Sequence, residues 1–428
     1  MTSRSGSSSA SLASSGPAAT SAVVLAVLVA ALGYFVDIYD LVLFTIVRVP
    51  SLTDLGLNET AVQSEGLFLL NVQMTGMLIG GVLWGILGDR RGRLSVLFGS
   101  IALYSVANIL NGMVQNVDQY AVLRLMAGIG LAGELGAGIT LVGELMHRER
   151  RGYGTMIVAT VGILGAVAAA LIAREFDWRT AYYIGGGLGI GLLVLRVSVA
   201  ESGMFTAVRE SDVSRGSLRL LFATRERGLR YLKCVLVGAP TWFIVGILVA
   251  FSNDFGRALG VGTTKETLPN PGFAIMYCYI GLAVGDFTSG LLSQLFKTRR
   301  KVALGFVLLS AASVAVYLLA SGITLGGFYL LIGIIGFGAG FWAIFVTIAS
   351  EQFGTNLRAT VATTVPNMAR GALVPLSILF TTLTKDLGIL GSAAIVGVIT
   401  YTLSITAILR LDETFGRDLD FVESDAAV

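Results

Sequence analysis

The sequence Gly85-Ile-Leu-Gly-Asp-Arg-Arg-Gly-Arg93 is a short polar cluster between two long apolar segments, residues 66–88 and 94–114. It brings one acid, three glycines and three arginines together within nine residues. Such a cluster is too polar to lie in lipid and too short to form a domain. Because basic loops remain on the cytoplasmic side of a membrane, we expect it to connect two membrane helices there. The cluster therefore predicts a multi-pass membrane protein.

The composition supports this interpretation. Of the 428 residues, 54% are hydrophobic and 13% are charged, whereas a soluble domain carries about 25% charged residues. The two cysteines, Cys234 and Cys278, lie in apolar segments, and the single histidine, His147, lies in a basic loop. Neither a disulfide framework nor a metal site is indicated. We expect a protein that is not an enzyme and that uses no metal and no cofactor.

Twelve apolar segments approach the length of about 20 residues that a helix needs to cross a bilayer. They are residues 22–47, 66–88, 94–114, 119–144, 152–172, 179–199, 231–252, 271–295, 302–321, 324–350, 358–383 and 389–410. We therefore predict an all-α membrane protein with twelve transmembrane helices in two six-helix bundles. The expected parts are a disordered cytoplasmic tail at 1–21, an N-terminal bundle at 22–200, a cytoplasmic linker at 201–230, a C-terminal bundle at 231–411 and a cytoplasmic tail at 412–428.

The lysines and arginines indicate the orientation of these segments. With both termini in the cytoplasm, 21 of the 30 Lys and Arg residues lie on the cytoplasmic side and six lie on the opposite side. The other three are Arg124, Arg196 and Arg370, which fall within apolar segments. Because basic loops stay inside during insertion, we predict cytoplasmic termini in an inner or plasma membrane.

The two halves of the chain also resemble each other. Thr140-Leu-Val-Gly-Glu144 precedes Arg151 with the same spacing as Thr347-Ile-Ala-Ser-Glu351 precedes Arg358. Residues 290–301 look like a degraded copy of the first polar cluster. We interpret these matches as an internal repeat of the two bundles. Chance similarity between apolar helices is the alternative.

Six ionisable side chains stand out inside apolar segments, where each costs roughly 3 kcal/mol unless it faces a cavity or a partner. They are Asp37, Asp40, Arg124, Glu134, Asp286 and Arg370. Asp37 and Asp40 are three residues apart and share one helix face, so we do not expect both carboxyls to be ionised together. These two acids and Arg124 are candidates for proton coupling. Glu134 is a second acid for proton coupling or substrate binding.

A substrate site is predicted around Arg370, since a single arginine in a cavity is a natural anchor for a carboxylate. It lies between Pro366 and Pro375, where the helix can bend. An internal salt bridge between Arg370 and Asp286 is the alternative. The polar and aromatic side chains that could complete the site are Tyr34, Tyr39, Asn71, Gln73, Asn108, Trp242, Tyr277, Tyr279, Trp342 and Asn367. Each alone is better explained by helix packing, but together they suit a small polar metabolite.

The polar cluster closely resembles the signature loop between helices 2 and 3 of major facilitator superfamily transporters. Asp37-Ile-Tyr-Asp40 resembles an acid-x-Tyr-Asp element in helix 1 of metabolite:proton symporters and their aromatic-acid relatives. Arg124…Gly128-x-Gly130-x-x-Gly133-Glu134-x-Gly136 is similar to helix 4 of the same group, and related patterns occur in sugar porters and organic-ion carriers. Ile38 departs from the usual Trp or Gly. The resemblance implies the major facilitator fold and the chemistry of a carrier.

The resemblance also implies a cytoplasmic gate. In this family the polar cluster and the ends of neighbouring helices form a charge network that links the bundles and breaks when they rock apart. The matching positions here are Gly85, Asp89, Arg90, Gly92, Arg93, Glu144, Arg151, Glu351 and Arg358. Partly solvated ion pairs cost little to break, which suits a gate. The alternative is that these residues serve only as topology signals and helix caps.

The leading functional prediction is a secondary active transporter that works by alternating access, with proton-coupled symport of a small organic acid or zwitterionic metabolite. Sugar:proton symport and proton-coupled efflux of cationic or amphipathic compounds are the alternatives among carriers. A channel or receptor on the same fold and a membrane enzyme have less support. The expected partners are a small-molecule substrate, protons and the lipid bilayer, without nucleic acid. The expected state is a monomer.

Overall fold

The computed structural model describes residues 17–91, 93–134, 151–201, 218–262, 267–417, 421 and 423. Within these ranges, only the backbone is described at 17–23, 26, 88–91, 93–95, 97, 151–152, 198–201, 218–219, 355 and 359. This part of the chain is built from helices and contains no strand. The all-helical fold class predicted from the apolar segments is therefore confirmed for the described residues.

The helices of the first half are α1 (Pro17–Asp54), α2 (Glu59–Arg91), α3 (Arg93–Asn111), α4 (Val117–Leu131), α5 (Arg151–Ile163), α6 (Gly165–Glu175) and α7 (Trp178–Glu201). Those of the second half are α8 (Leu218–Leu221), α9 (Arg225–Phe243), a π-helix (Ile244–Val249), α10 (Ser252–Ala258), α11 (Pro271–Leu295), α12 (Arg300–Leu319), α13 (Leu325–Ala339), α14 (Trp342–Glu351), α15 (Thr355–Gly371) and α16 (Leu373–Leu409). The first helix begins inside the predicted tail 1–21, of which residues 1–16 lie outside the described ranges.

Polar side chains determine where several helices begin. Asn116 accepts a hydrogen bond from the backbone N–H of Gln119 at the start of α4. Asn270 caps α11 in the same way, and Pro271 is the first residue of that helix. Such caps satisfy N–H groups that lack a partner in the first turn. Proline suits the first position because it has no N–H to lose.

Prolines and a glycine interrupt the long helices of the second half. Pro240 precedes the π-helix Ile244–Val249, because a proline removes a backbone donor and loosens the helical ladder. A one-residue interruption lies between Pro366 and Pro375, since α15 ends at Gly371 and α16 begins at Leu373. The bend expected between these prolines stays a prediction.

Nine helices among the described residues are long and apolar enough to cross a membrane. One of them, residues 356–409, has 54 residues and would extend about 80 Å if straight, against roughly 30 Å of bilayer core. It turns at Gly388, whose φ of 66° favours glycine, and this turn divides it into two segments. The predicted total of twelve spans stays a prediction, because residues 135–150 next to α4 lie outside the described ranges.

The helices pack as two groups that follow the two halves of the chain. In the first half α1 packs on α5, α6 and α7, and α4 packs on α2 and α3; in the second half α11 packs on α13, and α16 packs on α9 and α12. Two seams join the groups, α2 against α15 and α11 against α5 and α6. The first seam is close because Gly371 and Gly81 leave space for Leu78 and Asn367 respectively. Small residues of this kind allow membrane helices to approach each other.

Candidate functional site

An ion pair between the two halves lies at the centre of the molecule. Arg370 Nη2 on α15 is 3.5 Å from Asp37 Oδ2 on α1, and both side chains have 0% of their surface exposed. The sequence analysis assigned Asp37 to proton coupling and Arg370 to substrate binding. The structure brings these two candidates into contact, so that a charge on one half directly senses the charge on the other.

Two tryptophans flank the Arg370 guanidinium. The Trp242 and Trp342 rings lie with their centroids 6.2 Å apart, and Arg370 Cζ is 5.9 Å from each centroid. Arg370 also donates to Asn367 Oδ1 at 3.3 Å. The arrangement combines a cation with two aromatic faces, which attract each other electrostatically. The two rings contact each other edge to face and provide an apolar wall next to a carboxylate-binding group.

Several buried polar atoms of this centre have no hydrogen-bond partner in the protein. They are Asp37 Oδ1, Asp286 Oδ2, Arg370 Nε, and the indole nitrogens of Trp242 and Trp342. More than nine in ten buried polar groups in proteins have a partner. Their concentration around one cation identifies the centre, which we call the central site, as the best candidate for binding a polar ligand.

Asp286 and Tyr34 border the central site. Asp286 Oδ1 accepts the backbone N–H of Ala343 at 3.1 Å. The Tyr34 hydroxyl is close enough to interact electrostatically with Arg370, Asp37 and Asp286. Among the described ion pairs, the partner of Arg370 is Asp37. The alternative of an Arg370–Asp286 salt bridge is therefore not what this structure contains.

A second buried cluster surrounds Arg124 within the first half. Arg124 Nη2 donates to Asn108 Oδ1 at 2.9 Å, and weaker contacts reach Asn111 at 3.4 Å and Gln73 at 3.5 Å. Its Cζ lies 5.0 Å from the centroid of the Tyr182 ring. Neutral amides and aromatic rings therefore surround Arg124. The ion pairs among the described residues do not include it.

Asp40 belongs to this second cluster. It is completely buried, and neither carboxylate oxygen has a hydrogen-bond partner. Arg124 and Asp37 are the charged groups with which it interacts electrostatically. Its neighbour Tyr39 turns away and donates its hydroxyl to the Ala181 carbonyl at 2.9 Å. The predicted proximity of Arg124 to the acid pair is thus realised mainly at Asp40.

Glu134 is placed differently from the other predicted acids. Both of its carboxylate oxygens accept hydrogen bonds from Arg196, forming a two-pronged ion pair in which both side chains are buried. Gly33 on α1 leaves the space that this pair occupies. Glu134 interacts with Asp37 only at longer range. Its assignment to proton coupling stays a prediction, and its geometry favours a structural role.

Tyr277 lies outside both clusters. It is 41% exposed, and its ring stacks on Tyr329 with centroids 5.3 Å apart. Of the aromatic candidates, Tyr34, Trp242 and Trp342 surround Arg370, whereas Tyr39 lies beside Asp40. The structure therefore divides the predicted substrate residues among the central site, the cluster around Arg124 and Asp40, and one outlying tyrosine.

The predicted cytoplasmic gate lies largely outside what the structure describes. The side chains of Asp89, Arg90, Arg93 and Arg151, and all of Gly92 and Glu144, are not among the described residues. Gly85 on α2 faces Thr364 on α15, and Arg358 is partly buried near the start of α15. Glu351 pairs with Arg299, whose Nε is 2.8 Å from Glu351 Oε2. This pair joins the end of α14 to the degraded copy of the polar cluster.

The end of the molecule with the polar cluster is also joined across the halves by Asn367. Its Nδ2 donates to the Ala132 carbonyl of the first half at 2.8 Å, and its Oδ1 accepts from Arg370. The same residue therefore touches both the seam between α2 and α15 and the cation of the central site. Movement at this seam is directly connected to the position of Arg370.

The opposite end, which carries the connection between α1 and α2, has its own contacts between the halves. Arg257 Nη2 is 2.7 Å from Glu59 Oε1, and Gln63 Nε2 donates to Asp254 Oδ1 at 2.5 Å. Burial raises the pKa of Asp254, partly offset by the nearby Arg48 and Arg257. Deeper along this end, the Ser377 hydroxyl on α16 lies 2.8 Å from Asn71 Oδ1 on α2 and 2.9 Å from the Val374 carbonyl of its own helix, so its proton is shared between the two acceptors. The halves are thus linked at both ends, and the central site lies between the links.

Removing the Ser377 link is expected to loosen that end of the molecule. A Ser377→Ala variant loses a buried hydrogen bond worth about 1 kcal/mol, so the population of forms open at this end should rise about fivefold. Thr53 and Ser321 are exposed on different halves. Double electron–electron resonance between spin labels at these two positions would report longer distances between the halves. Ser404→Ala is the matched control, because the buried Ser404 hydroxyl donates to Val237 of its own half. Equal distance distributions in both variants would contradict this role of Ser377.

Two buried arginines were not identified as site candidates from the sequence. Arg196 lies inside an apolar segment yet near its polar end, and nothing in the pattern indicates Glu134 as its partner. Arg48 lies at the end of the first apolar segment, where a basic residue is expected as an ordinary flanking charge. The signal that could have identified both is the cost of burying a charge, which requires a partner or a ligand.

An all-helical membrane chain with a buried, charged site between two halves has the architecture of a membrane carrier. The family model for the Major Facilitator Superfamily matches residues 23–375. The chain therefore belongs to this superfamily. Its members are transporters, which confirms the predicted family and the prediction that the protein is not an enzyme.

Curated relatives and a solved structure agree with this assignment. A probable 4-methylmuconolactone transporter of Cupriavidus pinatubonensis is 28% identical over 92% of both chains. The gentisate transporter of Corynebacterium glutamicum is 23% identical over 89% of this chain and 86% of its own, and a putative niacin/nicotinamide transporter of Bacillus subtilis is 25% identical over 80% and 84%. The proton:xylose symporter XylE has the same fold, with a TM-score of 0.68 and 17% identity over 94% of this chain and 98% of its own.

Proposed function

We propose that the protein is a proton-coupled symporter of small organic acids that carry a flat, unsaturated ring. The observation that carries this proposal is the buried Arg370 guanidinium, which lies next to the Trp242 and Trp342 rings and is paired with Asp37 across the two halves. Arginine recognises carboxylates through its planar fork of donors. The two indole rings provide the apolar faces that a planar ring prefers.

The relatives support the same substrate class. They include transporters named for 4-methylmuconolactone, niacin and gentisate, all of which are small unsaturated ring compounds. An acid of this kind would place its carboxylate on Arg370 and its ring beside the tryptophans. The unpartnered indole N–H groups and Asp286 Oδ2 could then bind ring substituents, which would discriminate between similar acids.

The number of membrane helices and their orientation are also inferred. We infer twelve membrane helices in a monomer in the inner or plasma membrane, with both termini in the cytoplasm, because the Lys and Arg residues concentrate on that side. The end with the connection between α1 and α2 would then face the outside. The seam between α2 and α15 would close the cytoplasmic side, together with the gate residues of the polar cluster.

The transport cycle would use charge balance at the central site. A proton from outside binds the Asp37/Asp40 pair, which weakens the hold of Asp37 on Arg370. A substrate carboxylate then replaces Asp37 as the partner of Arg370, so the buried cation is never left unpaired. The halves rock about the site, the cytoplasmic seam opens, and the substrate and proton leave. The Asp37–Arg370 pair forms again and resets the empty carrier.

The other carrier functions have weaker support. The structural likeness to a xylose symporter extends to the fold, and an arginine paired with an aspartate is not needed to bind an uncharged sugar. Four of the six charged residues singled out in the apolar segments are acids and two are arginines, an excess that would favour a cationic substrate for efflux. Because Arg196 neutralises Glu134, that excess is smaller around the central site than the sequence suggests.

A thermal-shift screen of the purified protein tests the substrate class. We expect stabilisation by gentisate, nicotinate or 4-methylmuconolactone, and none by xylose or tetraphenylphosphonium. A ligand that binds the folded state at 100 times its dissociation constant stabilises it by about 2.7 kcal/mol. The stabilisation should be greater at the lower of two pH values, since a proton binds with the substrate. Stabilisation by xylose or the cation alone would contradict the proposal and favour the corresponding alternative.

A further inference from the structure

A cleft of about 1,000 Å³ opens between the two halves at the end that carries the connection between α1 and α2. Its walls come from α1, α2 and α6 on one side and from Asn253, Arg257, residues 268–273 and α13 on the other. We propose that this cleft, called here the outer cleft, is a second carboxylate-binding site in which Arg48 captures anionic substrate before it reaches Arg370. The inference rests on the proposed function for its substrate class and on the proposed orientation for its direction.

Arg48 has the properties of a ligand-binding group in this cleft. It lines the cleft but is only 2% exposed. Its Nη2 donates to the Ala250 carbonyl at 3.1 Å, whereas Nε and Nη1 have no hydrogen-bond partner. The Phe251 ring lies 4.1 Å from the guanidinium carbon. A cation stacked on an aromatic ring with free N–H groups is suited to a ring-bearing carboxylate.

The other charges of the outer cleft already have partners. Arg257 pairs with Glu59 at 2.7 Å, and Arg174 pairs with Glu175 at 3.5 Å. The carboxylate with which Arg48 interacts electrostatically is Asp254, and its Oδ1 accepts from Gln63. Three arginines and Glu59 line the cleft, so an anion that binds there needs an arginine that no carboxylate already holds by hydrogen bonds. Of the three arginines, Arg48 is the one whose Nε and Nη1 groups are still free to bind an anion.

The position of Arg48 connects capture to opening. Arg48 belongs to the first half, while Ala250 and Phe251 belong to the second, so their contact holds the two halves together at this end. A carboxylate that binds two neighbouring N–H groups of the guanidinium must use Nη2, and it therefore competes with the Ala250 carbonyl for that nitrogen. Because a ligand stabilises the state that it binds more tightly, binding in the outer cleft favours release of this contact. Arg48 lies eleven residues after Asp37 on α1, about 16 Å along the helix, which separates the two sites.

The test uses a fluorophore at Thr53→Cys, an exposed position that lines the outer cleft. The two natural cysteines are buried and should label slowly. Benzoate is the probe, and benzamide, which has the same ring without the charge, is the control ligand. The titration is performed in the otherwise unaltered protein and in the Asp37→Asn, Arg370→Gln double variant. The double variant removes the central carboxylate site and leaves neither member of that ion pair buried without its partner.

We expect a saturable fluorescence change with benzoate in both backgrounds and none with benzamide. Arg48→Gln should weaken the benzoate response by about tenfold or more, and Arg48→Lys, which keeps the charge, should weaken it less. Arg174→Gln is the matched control, because Arg174 lines the same cleft but is exposed and already paired, and it should leave the response unchanged. An equal response in Arg48→Gln, or no response in any variant, would overturn the inference.

Uptake measurements on the same variants distinguish this inference from the proposed function. If the unaltered protein transports no carboxylate but benzoate still gives an Arg48-dependent response, the proposed function is wrong and the outer cleft remains a binding site. If carboxylates are transported and the response does not depend on Arg48, the proposed function stands and the inference about the outer cleft is wrong. A thermal unfolding curve for each variant verifies that it is folded.

Discussion

An Arg370→Gln variant is expected to lose carboxylate transport, with binding of gentisate weakened by about 100-fold. Truncating one member of a buried, hydrogen-bonded charge pair costs about 2–5 kcal/mol, and each 1.4 kcal/mol is tenfold in affinity. Arg370→Lys should retain the charge but lose the planar fork, so its defect should be intermediate. Equilibrium binding of radiolabelled gentisate and uptake into proteoliposomes measure both effects.

The ion pair predicts how stability changes in the same series. Arg370→Gln alone leaves Asp37 without its partner, and Asp37→Asn alone leaves Arg370 without its partner; each costs roughly 3–5 kcal/mol when the remaining charge stays buried. The double variant should therefore be more stable than either single variant, while still failing to bind gentisate. Thermal unfolding in detergent gives the comparison.

A surface arginine provides the control for charge removal. Arg410, at the end of α16, is exposed, so Arg410→Gln should leave both affinity and stability nearly unchanged. If Arg370→Gln binds gentisate as well as Arg410→Gln does, the carboxylate site does not lie at Arg370. If the double variant is less stable than both single variants, the contact between Arg370 and Asp37 is not the dominant interaction of either group.

The charged members of the central site could be found from the sequence, because each one interrupts an apolar segment. Asp37, Asp286 and Arg370 all stand out on that ground, since lipid does not accept an unpaired charge. Their pairing could not be found, because Arg370 is 333 positions from Asp37 and the sequence does not state which helices face each other. Asp286, the alternative partner, is instead held by the backbone of α14.

Aromatic and helix-terminal residues were harder to assign than the acids. Tyr277 and Trp342 both occur in apolar segments, and hydropathy alone does not distinguish the exposed face of a membrane helix from its buried face. Arg48 and Arg196 lie near the ends of their segments, where basic residues also serve as topology signals. Their burial depends on the packing of neighbouring helices, which only the folded structure reveals.

The positions of the helices could be predicted largely from residues that are close together in the sequence. Long apolar runs predicted where helices exist, and the prolines around Arg370 lie on either side of the interruption between α15 and α16. The caps Asn116 and Asn270 became apparent only in the structure. The predicted gate is different, because its residues lie on loops and helix ends that meet across the two halves. The Arg299–Glu351 pair lies where the repeat hypothesis expects a second copy of the polar cluster to meet the end of a helix.

Replacing Asp40 by asparagine is expected to separate transport from proton coupling. Asp40 is fully buried with no hydrogen-bond partner on either oxygen, and asparagine is neutral like its protonated form. The variant should still exchange gentisate across the membrane but should not accumulate it. One proton and one monocarboxylate carry no net charge, so the pH gradient drives uptake with about 1.4 kcal/mol, or tenfold accumulation, per pH unit. Proteoliposomes given a pH gradient measure accumulation, and counterflow without a gradient measures exchange.

The contrast with Asp37 identifies which carboxyl carries the proton. Because Asp37 is the partner of Arg370, Asp37→Asn should lower stability and disturb gentisate binding, whereas Asp40→Asn should change neither by much. Asp118→Asn, which removes an exposed carboxylate from the same half, should leave accumulation intact. Accumulation that survives in Asp40→Asn but disappears in Asp37→Asn would assign the proton to the ion pair itself. Proton binding and release of Arg370 would then be a single event at one carboxyl rather than a transfer between two.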